Sequence, residues 1–336
     1  MNITPELPDI DALLDSLPRG DDAAEAAARA RQGQLVKPTG SLGRLEDIAV
    51  HLARWQGAER PRLETVTITV FAGSHGITKH GVSAFPDEVN AQMLGGFHAG
   101  FAAVCQLAEA FGAELKAIDC GVAHPTDDFT VGPAMDAAAF AEAVGKGRAS
   151  VRGDEDLLIF GEMGIGNTTA AAAVAAAICG GDPAGWVGQG TGVDEDGLAR
   201  KADVVRRGLM ANPASSGNPV EVLRCLGGRE MAAILGACLE ARKKSIPVLI
   251  DGFIATASVA PLGRQGLAHC LSGHASQEHG HRKLLDFLGL DPILDLGMRL
   301  GEGSGAATAL GIVRAAVACH NGMATFEEAA VAGKNG

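Results

Sequence analysis

Two carboxylates, one lysine and several backbone amides are the groups in this chain best suited to chemistry, and each lies in or beside a glycine-rich turn. The segment from 296 to 305 reads Leu-Gly-Met-Arg-Leu-Gly-Glu-Gly-Ser-Gly, so Glu302 stands between two glycines ahead of an apolar stretch. A carboxylate desolvated there would be shifted toward basicity, as general bases are. The competing reading is that Glu302 only meets the first turn of the following helix. Arg299 reads as half of a structural ion pair, with phosphate binding as the alternative.

A second segment, Gly-Glu-Met-Gly-Ile-Gly-Asn-Thr-Thr over 161–169, follows an apolar run and precedes an Ala-rich stretch. Gly164 and Gly166 let amide N–H groups turn inward, and a helix start adds unpaired donors, which together favour an anion. Asn167 and Thr168 either cap that helix or donate to a phosphate. Glu162 in the same turn is costly unless hydroxyls, such as those of a ribose, donate to it. The segment is neither a Walker A loop nor G-x-G-x-x-G, because no Lys precedes the Thr pair and the glycine spacing differs. A third loop, Gly188–Asp194, carries Gly190 and leads toward Lys201. Lys201 then supplies a full positive charge to an anion, or is a solvated surface lysine.

His75 follows the first apolar run and is placed at the cleft, in contact with substrate or with its own loop. His269, His274, His279 and His281 cluster with Cys270 and Glu278, but their spacing fits neither H-E-x-x-H nor a zinc finger, so no metal site is assigned. No G-x-S-x-G elbow is present.

These turns need a scaffold. Val66–Phe71, Leu115–Cys120, Leu157–Phe160 and Pro247–Ile250 read as buried strands, each ending in Gly or in an acidic residue next to Gly. Helical spacing fills Ala23–Arg31, Leu42–Trp55, Pro86–Phe111, Thr168–Ile178, Leu198–Met210, Arg229–Arg242 and Gly305–His320, and residues beyond Ala330 read as a frayed tail. The pattern predicts an α/β fold: a Rossmann-like, mostly parallel sheet with helices on both faces, binding its ligand at the carboxyl ends of the strands.

The formal net charge of −12 argues against nucleic acid and anionic membranes as partners. Seven cysteines without a C-x-x-C pair fit scattered reduced thiols of a cytoplasmic protein. The amino terminus shows no signal peptide, and no apolar run approaches the roughly 18 residues of a membrane span.

Taken in order, the chain resembles the nicotinate-nucleotide–dimethylbenzimidazole phosphoribosyltransferase family of the lower-ligand branch of cobalamin synthesis. The resemblance rests on Lys-Pro-Thr-Gly-Ser-Leu-Gly-Arg-Leu-Glu at 37–46, His-Gly-Ile at 75–77 with Gly-Val-Ser at 81–83, and the 161–169 segment. It continues through Asp-Gly-Phe-Ile-Ala-Thr-Ala at 251–257 and Met-Arg-Leu-Gly-Glu-Gly-Ser-Gly-Ala at 298–306.

The resemblance implies a homodimer whose smaller helical domain is built from residues 1–58 and about 305–336, beside an α/β domain of residues 59–304 that carries the active site. It implies Glu302 as catalytic base, with Glu162, Gly164, Gly166, Asn167, Thr168, Gly190 and Lys201 around the nucleotide. It implies a base pocket of Phe85, Pro86, Met93, Met298 and Leu300. The substrates it implies are nicotinate mononucleotide and 5,6-dimethylbenzimidazole, with no cofactor. Many relatives carry Asp-His-Gly where Ser74-His75-Gly76 stands here, and some have polar groups in place of Phe85 and Met93. The acceptor base, adenine or another benzimidazole included, is therefore left open. Outside the family, a nucleotide-binding oxidoreductase and a non-catalytic nucleotide sensor remain as rivals.

Overall fold

The computed structural model describes residues 15–332 apart from Thr191 and Ser216. The expected tail beyond Ala330 reaches residues 333–336, which lie outside the described residues, as do residues 1–14 and the centre of the third glycine loop.

Among the described residues, six parallel strands form one sheet in the order β2-β1-β3-β4-β5-β6: β1 Val66–Ala72, β2 Glu114–Asp119, β3 Leu157–Met163, β4 Val248–Ile250, β5 Cys270–His274 and β6 Pro292–Leu294. Alternation sorts their side chains into two layers. Phe71, Leu158, Phe160, Val248 and Ile250 pack under the helices Asn167–Cys179, Arg229–Lys243 and Phe253–Val259. Ile68, Val70, Leu157, Ile159 and Leu249 face Arg44–Gln56, Ala103–Ala110 and Ser304–Gly322 on the other side. Helices therefore cover both faces of a parallel sheet, as the strand–turn–helix pattern predicted.

Two strands escaped the sequence reading. β5, Cys-Leu-Ser-Gly-His, lacks a β-branched run, and β6 is only three residues long. The helix expected over 86–111 is two helices, Glu88–Ala99 and Ala103–Ala110. Gly100 breaks it in the left-handed region, at φ 82°, with its N–H capping the Gly96 carbonyl. The first helix, Asp22–Gln34, starts at Asp21, whose carboxylate accepts from the N–H groups of Ala23 and Ala24 at 2.9 Å each.

The sheet order reverses direction beside β1 and β3, so the turns leaving those strands diverge and open a crevice at their carboxyl ends. The glycine-rich turns after β3 and β4 and the turn before Ser304–Gly322 meet there.

Candidate active site

The turn carrying Glu302 is wound the unusual way. Gly301, Glu302 and Gly303 have φ of 82°, 63° and 83°. The glycines adopt this freely, but at Glu302 the left-handed region costs on the order of 1 kcal/mol. The surrounding structure holds it there. The Glu302 N–H donates to the Glu162 carbonyl at 3.2 Å, and Ser304 Oγ donates to the Gly301 carbonyl at 2.7 Å. Asp251, at the end of β4, accepts from Gly303 N at 3.2 Å and Ala306 N at 2.8 Å, and so caps the Ser304–Gly322 helix. Gly161 makes the close approach possible: a Cβ there would lie 2.5 Å from the Glu302 carbonyl carbon and the Gly303 nitrogen.

Glu302 is 7% exposed. Burial, and then the negative charge of Asp251, push its pKa up to about 7. Glu302 is thus a desolvated carboxylate poised near neutrality. Its part in the first helical turn belongs to Asp251, which takes the amides.

Glu162 lies beside it at the end of β3 and is also buried. Burial first, then Asp251, raise its pKa well above the ordinary carboxylate range, against a short hydrogen bond from Asn167 Nδ2. Asn167 therefore neither caps its helix nor points a free amide into the cleft. The helix Asn167–Cys179 has Gly166 at its start, with φ 91° and no side-chain cap, so its first N–H groups have no capping side chain. Ile165 N is taken by Asn90 Oδ1 at 2.7 Å.

The cationic side of the site is built from the third glycine loop. Lys201 is 1% exposed, so it is no solvated surface lysine. Its Nζ donates to the Gly188 carbonyl at 2.9 Å and to Thr168 Oγ1 at 3.0 Å. Burial lowers its pKa to about 8, opposed by the nearby Glu278. Glu278, raised by burial, accepts from Gly190 N at 3.1 Å. Arg299 Nη1 donates to the Gly190 carbonyl at 2.9 Å. Among the described residues it forms no ion pair, which corrects the expected structural pair.

A cavity of about 580 Å³ joins these groups. Glu162, Gly164, Asn167, Thr168, Gly190, Glu302 and Arg299 line its polar side, and Phe85, Met93, Ile254 and Leu300 its apolar side. A second cavity of about 460 Å³ adjoins it across Glu278 and Arg299. The first volume suits a nucleotide or a drug-sized molecule, with one apolar wall and a few convergent polar groups.

Comparison with known proteins decides the family. The phosphoribosyltransferase family model matches residues 17–331. The nicotinate-nucleotide–dimethylbenzimidazole phosphoribosyltransferase of Mesorhizobium japonicum is 55% identical over 321 residues, covering 95% of this chain and 96% of that protein. The enzyme of the same name from Novosphingobium aromaticivorans is 54% identical over 325 residues, covering 96% of each chain. This chain belongs to the nicotinate-nucleotide–dimethylbenzimidazole phosphoribosyltransferase family. The fold agrees: the crystal structure of CobT from Thermus thermophilus superposes with a TM-score of 0.88 at 40% identity, covering 93% of this chain and all of that one.

Within this phosphoribosyltransferase fold the structure gathers most, but not all, of the residues expected at the site. Gly166 and Lys201 stand behind the wall, one starting the helix and the other anchoring Gly188 and Thr168. Pro86 and Met298 are absent from the cavity lining, and the Met298 carbonyl is engaged by Gln277 N at 2.9 Å. Phe85 and Leu300 line the mouth and are more than half exposed. His75 corrects the expectation of a cleft contact. It is buried beneath Gly164, with Nε2 2.7 Å from Glu230 Oε1, and does not line the cavity.

Asp251, Asn90, His274 and Ser276 were missed as site residues. Asp251 had a signal, an acidic residue between an apolar strand and a glycine. Asn90 had none, because its partner lies 75 residues away. His274 ends the strand that the sequence did not reveal and Ser276 follows it; both line the cavity, with His274 Nε2 3.6 Å from Asp251 Oδ1.

Among the described residues no helix is long and apolar enough to cross a membrane.

Proposed function

We propose that the chain transfers the 5-phosphoribosyl group of nicotinate mononucleotide to 5,6-dimethylbenzimidazole, releasing nicotinate and giving α-ribazole 5′-phosphate. The observation that carries this reading is Glu302: a buried carboxyl on a glycine-flanked left-handed turn, raised to about 7, facing a cavity with an apolar mouth. The names of the relatives support the same substrates.

In this reading one ring nitrogen of the benzimidazole attacks C1′ of the ribose as the bond from C1′ to the pyridine nitrogen of nicotinate breaks. Attack from the opposite side inverts C1′ from β to α. The other ring nitrogen carries a proton that becomes acidic as positive charge develops on the ring, and the Glu302 carboxylate accepts it. General-base assistance of this kind contributes about 10²–10⁴ in rate. A base with a pKa near the working pH is the efficient choice, and the burial of Glu302 supplies that value. The leaving pyridine carries away the electron pair of the broken bond and needs no acid.

Glu162, buried at the end of β3 and lining the cavity, meets the ribose hydroxyls. The positive end of the Asn167–Cys179 helix, with Thr168, Gly190 and Arg299, receives the phosphate. Lys201 acts from behind, holding Thr168 and the glycine loop in place with its positive charge. Phe85, Met93 and Leu300 hold the flat apolar base, with Pro86 and Met298 supporting that wall. The described helices Asp22–Gln34, Arg44–Gln56 and Ser304–Gly322 form a smaller helical unit beside the 59–304 unit that bears the site, and the enzyme works as a cytoplasmic homodimer.

The test is to mix the purified protein with nicotinate mononucleotide and a panel of bases, then follow free nicotinate and the new nucleotide by chromatography and mass spectrometry. Nicotinate release that depends on dimethylbenzimidazole supports the reading. Binding of the nucleotide with no release of nicotinate overturns it.

A further inference from the structure

Away from the cleft, at the amino end of β5, three potential metal ligands converge. Cys270 begins β5 and His274 ends it at the cleft, so the two sites are separated by roughly 13 Å of strand, at about 3.3 Å per residue. Cys238, on the Arg229–Lys243 helix, and His269, just before β5, meet Cys270 in the core, all three buried. Cys238 Sγ lies 3.8 Å from Cys270 Sγ, and each sulfur lies 3.7 Å from His269 Nε2. The sequence spacing alone hid this group, because Cys238 lies 31 residues before His269.

The triangle has metal-site dimensions. Zinc bonds of about 2.3 Å to sulfur and about 2.0–2.1 Å to nitrogen, at tetrahedral angles, put the sulfurs about 3.8 Å apart and sulfur and nitrogen about 3.5–3.6 Å apart. Trigonal copper(I), another thiophilic ion, fits a triangle of nearly the same size. Two thiolates and a neutral imidazole cancel the charge of a zinc ion, which a dry core requires.

We propose that Cys238, His269 and Cys270 bind one thiophilic closed-shell metal ion, zinc(II) or copper(I), at a structural site remote from the active cleft. His269 Nε2 stands 3.1 Å from the Cys238 carbonyl, its hydrogen-bond partner in this arrangement. On binding, the imidazole carries its proton on Nδ1 and turns the Nε2 lone pair onto the ion, and the two thiols release their protons to solvent. That carbonyl is then free as a further donor. The ion ties the Arg229–Lys243 helix to β5. Through Trp55, whose ring stands edge-on to His269 with centroids 5.7 Å apart and whose Nε1 donates to the Ala268 carbonyl at 3.0 Å, it also ties in the Arg44–Gln56 helix.

The test uses the full chain, purified and kept reduced under anaerobic conditions. Metal content is measured by mass spectrometry of the elements, before and after incubation with zinc and, separately, with copper(I) under chelator competition. The expected result is one equivalent held after desalting, with the preferred ion named by which arm fills the site. Cobalt(II) added to the unmodified protein gives a sulfur-to-cobalt charge-transfer band in the near ultraviolet, independent of any variant. Cys238→Ser with Cys270→Ser abolishes binding, His269→Gln weakens it at least tenfold, and Cys105→Ser leaves it intact. Absence of both bound metal and the cobalt band in the unmodified chain overturns the proposal. So does binding that survives the double substitution, or a Cys238–Cys270 disulfide in freshly isolated protein.

Discussion

The backbone N–H of Glu302 donates to the backbone carbonyl of Glu162 at 3.2 Å, so two buried acidic side chains leave from adjoining turns. Neighbouring like charges in a poorly solvated site cannot both ionise cheaply. Glu162 is raised well above the ordinary carboxylate range, by burial first and then by Asp251, against the hydrogen bond donated by Asn167 Nδ2. Glu302 titrates near neutrality, which suits the base proposed for the transfer.

Replacing Glu302 with Gln keeps the shape and removes the base. The expected outcome is nicotinate mononucleotide binding within about threefold of the parent and single-turnover nicotinate release slowed about 10²–10⁴-fold. Rapid-quench measurement of nicotinate at saturating substrates checks it; an unchanged rate removes Glu302 from the chemistry.

The rate should follow the ionisation of the same group. Turnover rises with pH through about 7 and then levels off, because only the carboxylate accepts a proton. A rate profile from pH 5 to 9 that falls across this range contradicts the assignment.

Stability runs the opposite way. The folded pKa of Glu302, about 7, lies above its unfolded value of 4.5, so this group costs the fold stability as pH rises through that window, on the order of 2–3 kcal/mol once it is fully ionised. Glu302→Gln should therefore melt higher than the parent at pH 8 and close to it at pH 4.5. Differential scanning calorimetry at the two pH values provides the comparison.

Lys201→Met keeps the buried stem and removes the charge that anchors Thr168 and Gly188. A charged hydrogen bond is worth about 1.5–3 kcal/mol, so the KM for the nucleotide should rise about 10–100-fold while the affinity for the base changes far less. Isothermal titration with each substrate separates the two; equal losses would remove Lys201 from the phosphate side.

Gly161→Ala tests the contact between the turns. Its Cβ would press on the Glu302 carbonyl carbon at 2.5 Å. Overpacking of this kind costs about 1–3 kcal/mol, and displacement of the base should lower kcat more than it raises either KM. Thermal melting together with steady-state kinetics reads both effects.

Much of this enzyme was legible in its sequence. Apolar runs ending in glycine gave four of the six strands and the parallel α/β class, because strands buried on both faces, as β1, β3 and β4 are, must be largely apolar, whereas β2 at the sheet edge is only partly buried. Glu302 between two glycines, and the glycine-rich segment holding Glu162, pointed to the cleft, since a helix start favours an anion, although spacing alone left a plain helix start as the alternative for each. Local pattern could not reveal β5 and β6, whose short segments become strands only by pairing with neighbours already in place. Nor could it separate a surface lysine from a buried one. Lys201 is buried because Gly188, Thr168 and Glu278, far apart in the chain, close around it. His75 shows the same limit in reverse, drawn away from the cleft by Glu230. The sequence determined which groups carry charge and where the chain can turn. Tertiary packing decided which of those groups lose their water, and the loss of water is what gives Glu302 its basicity and brings Cys238, His269 and Cys270 together.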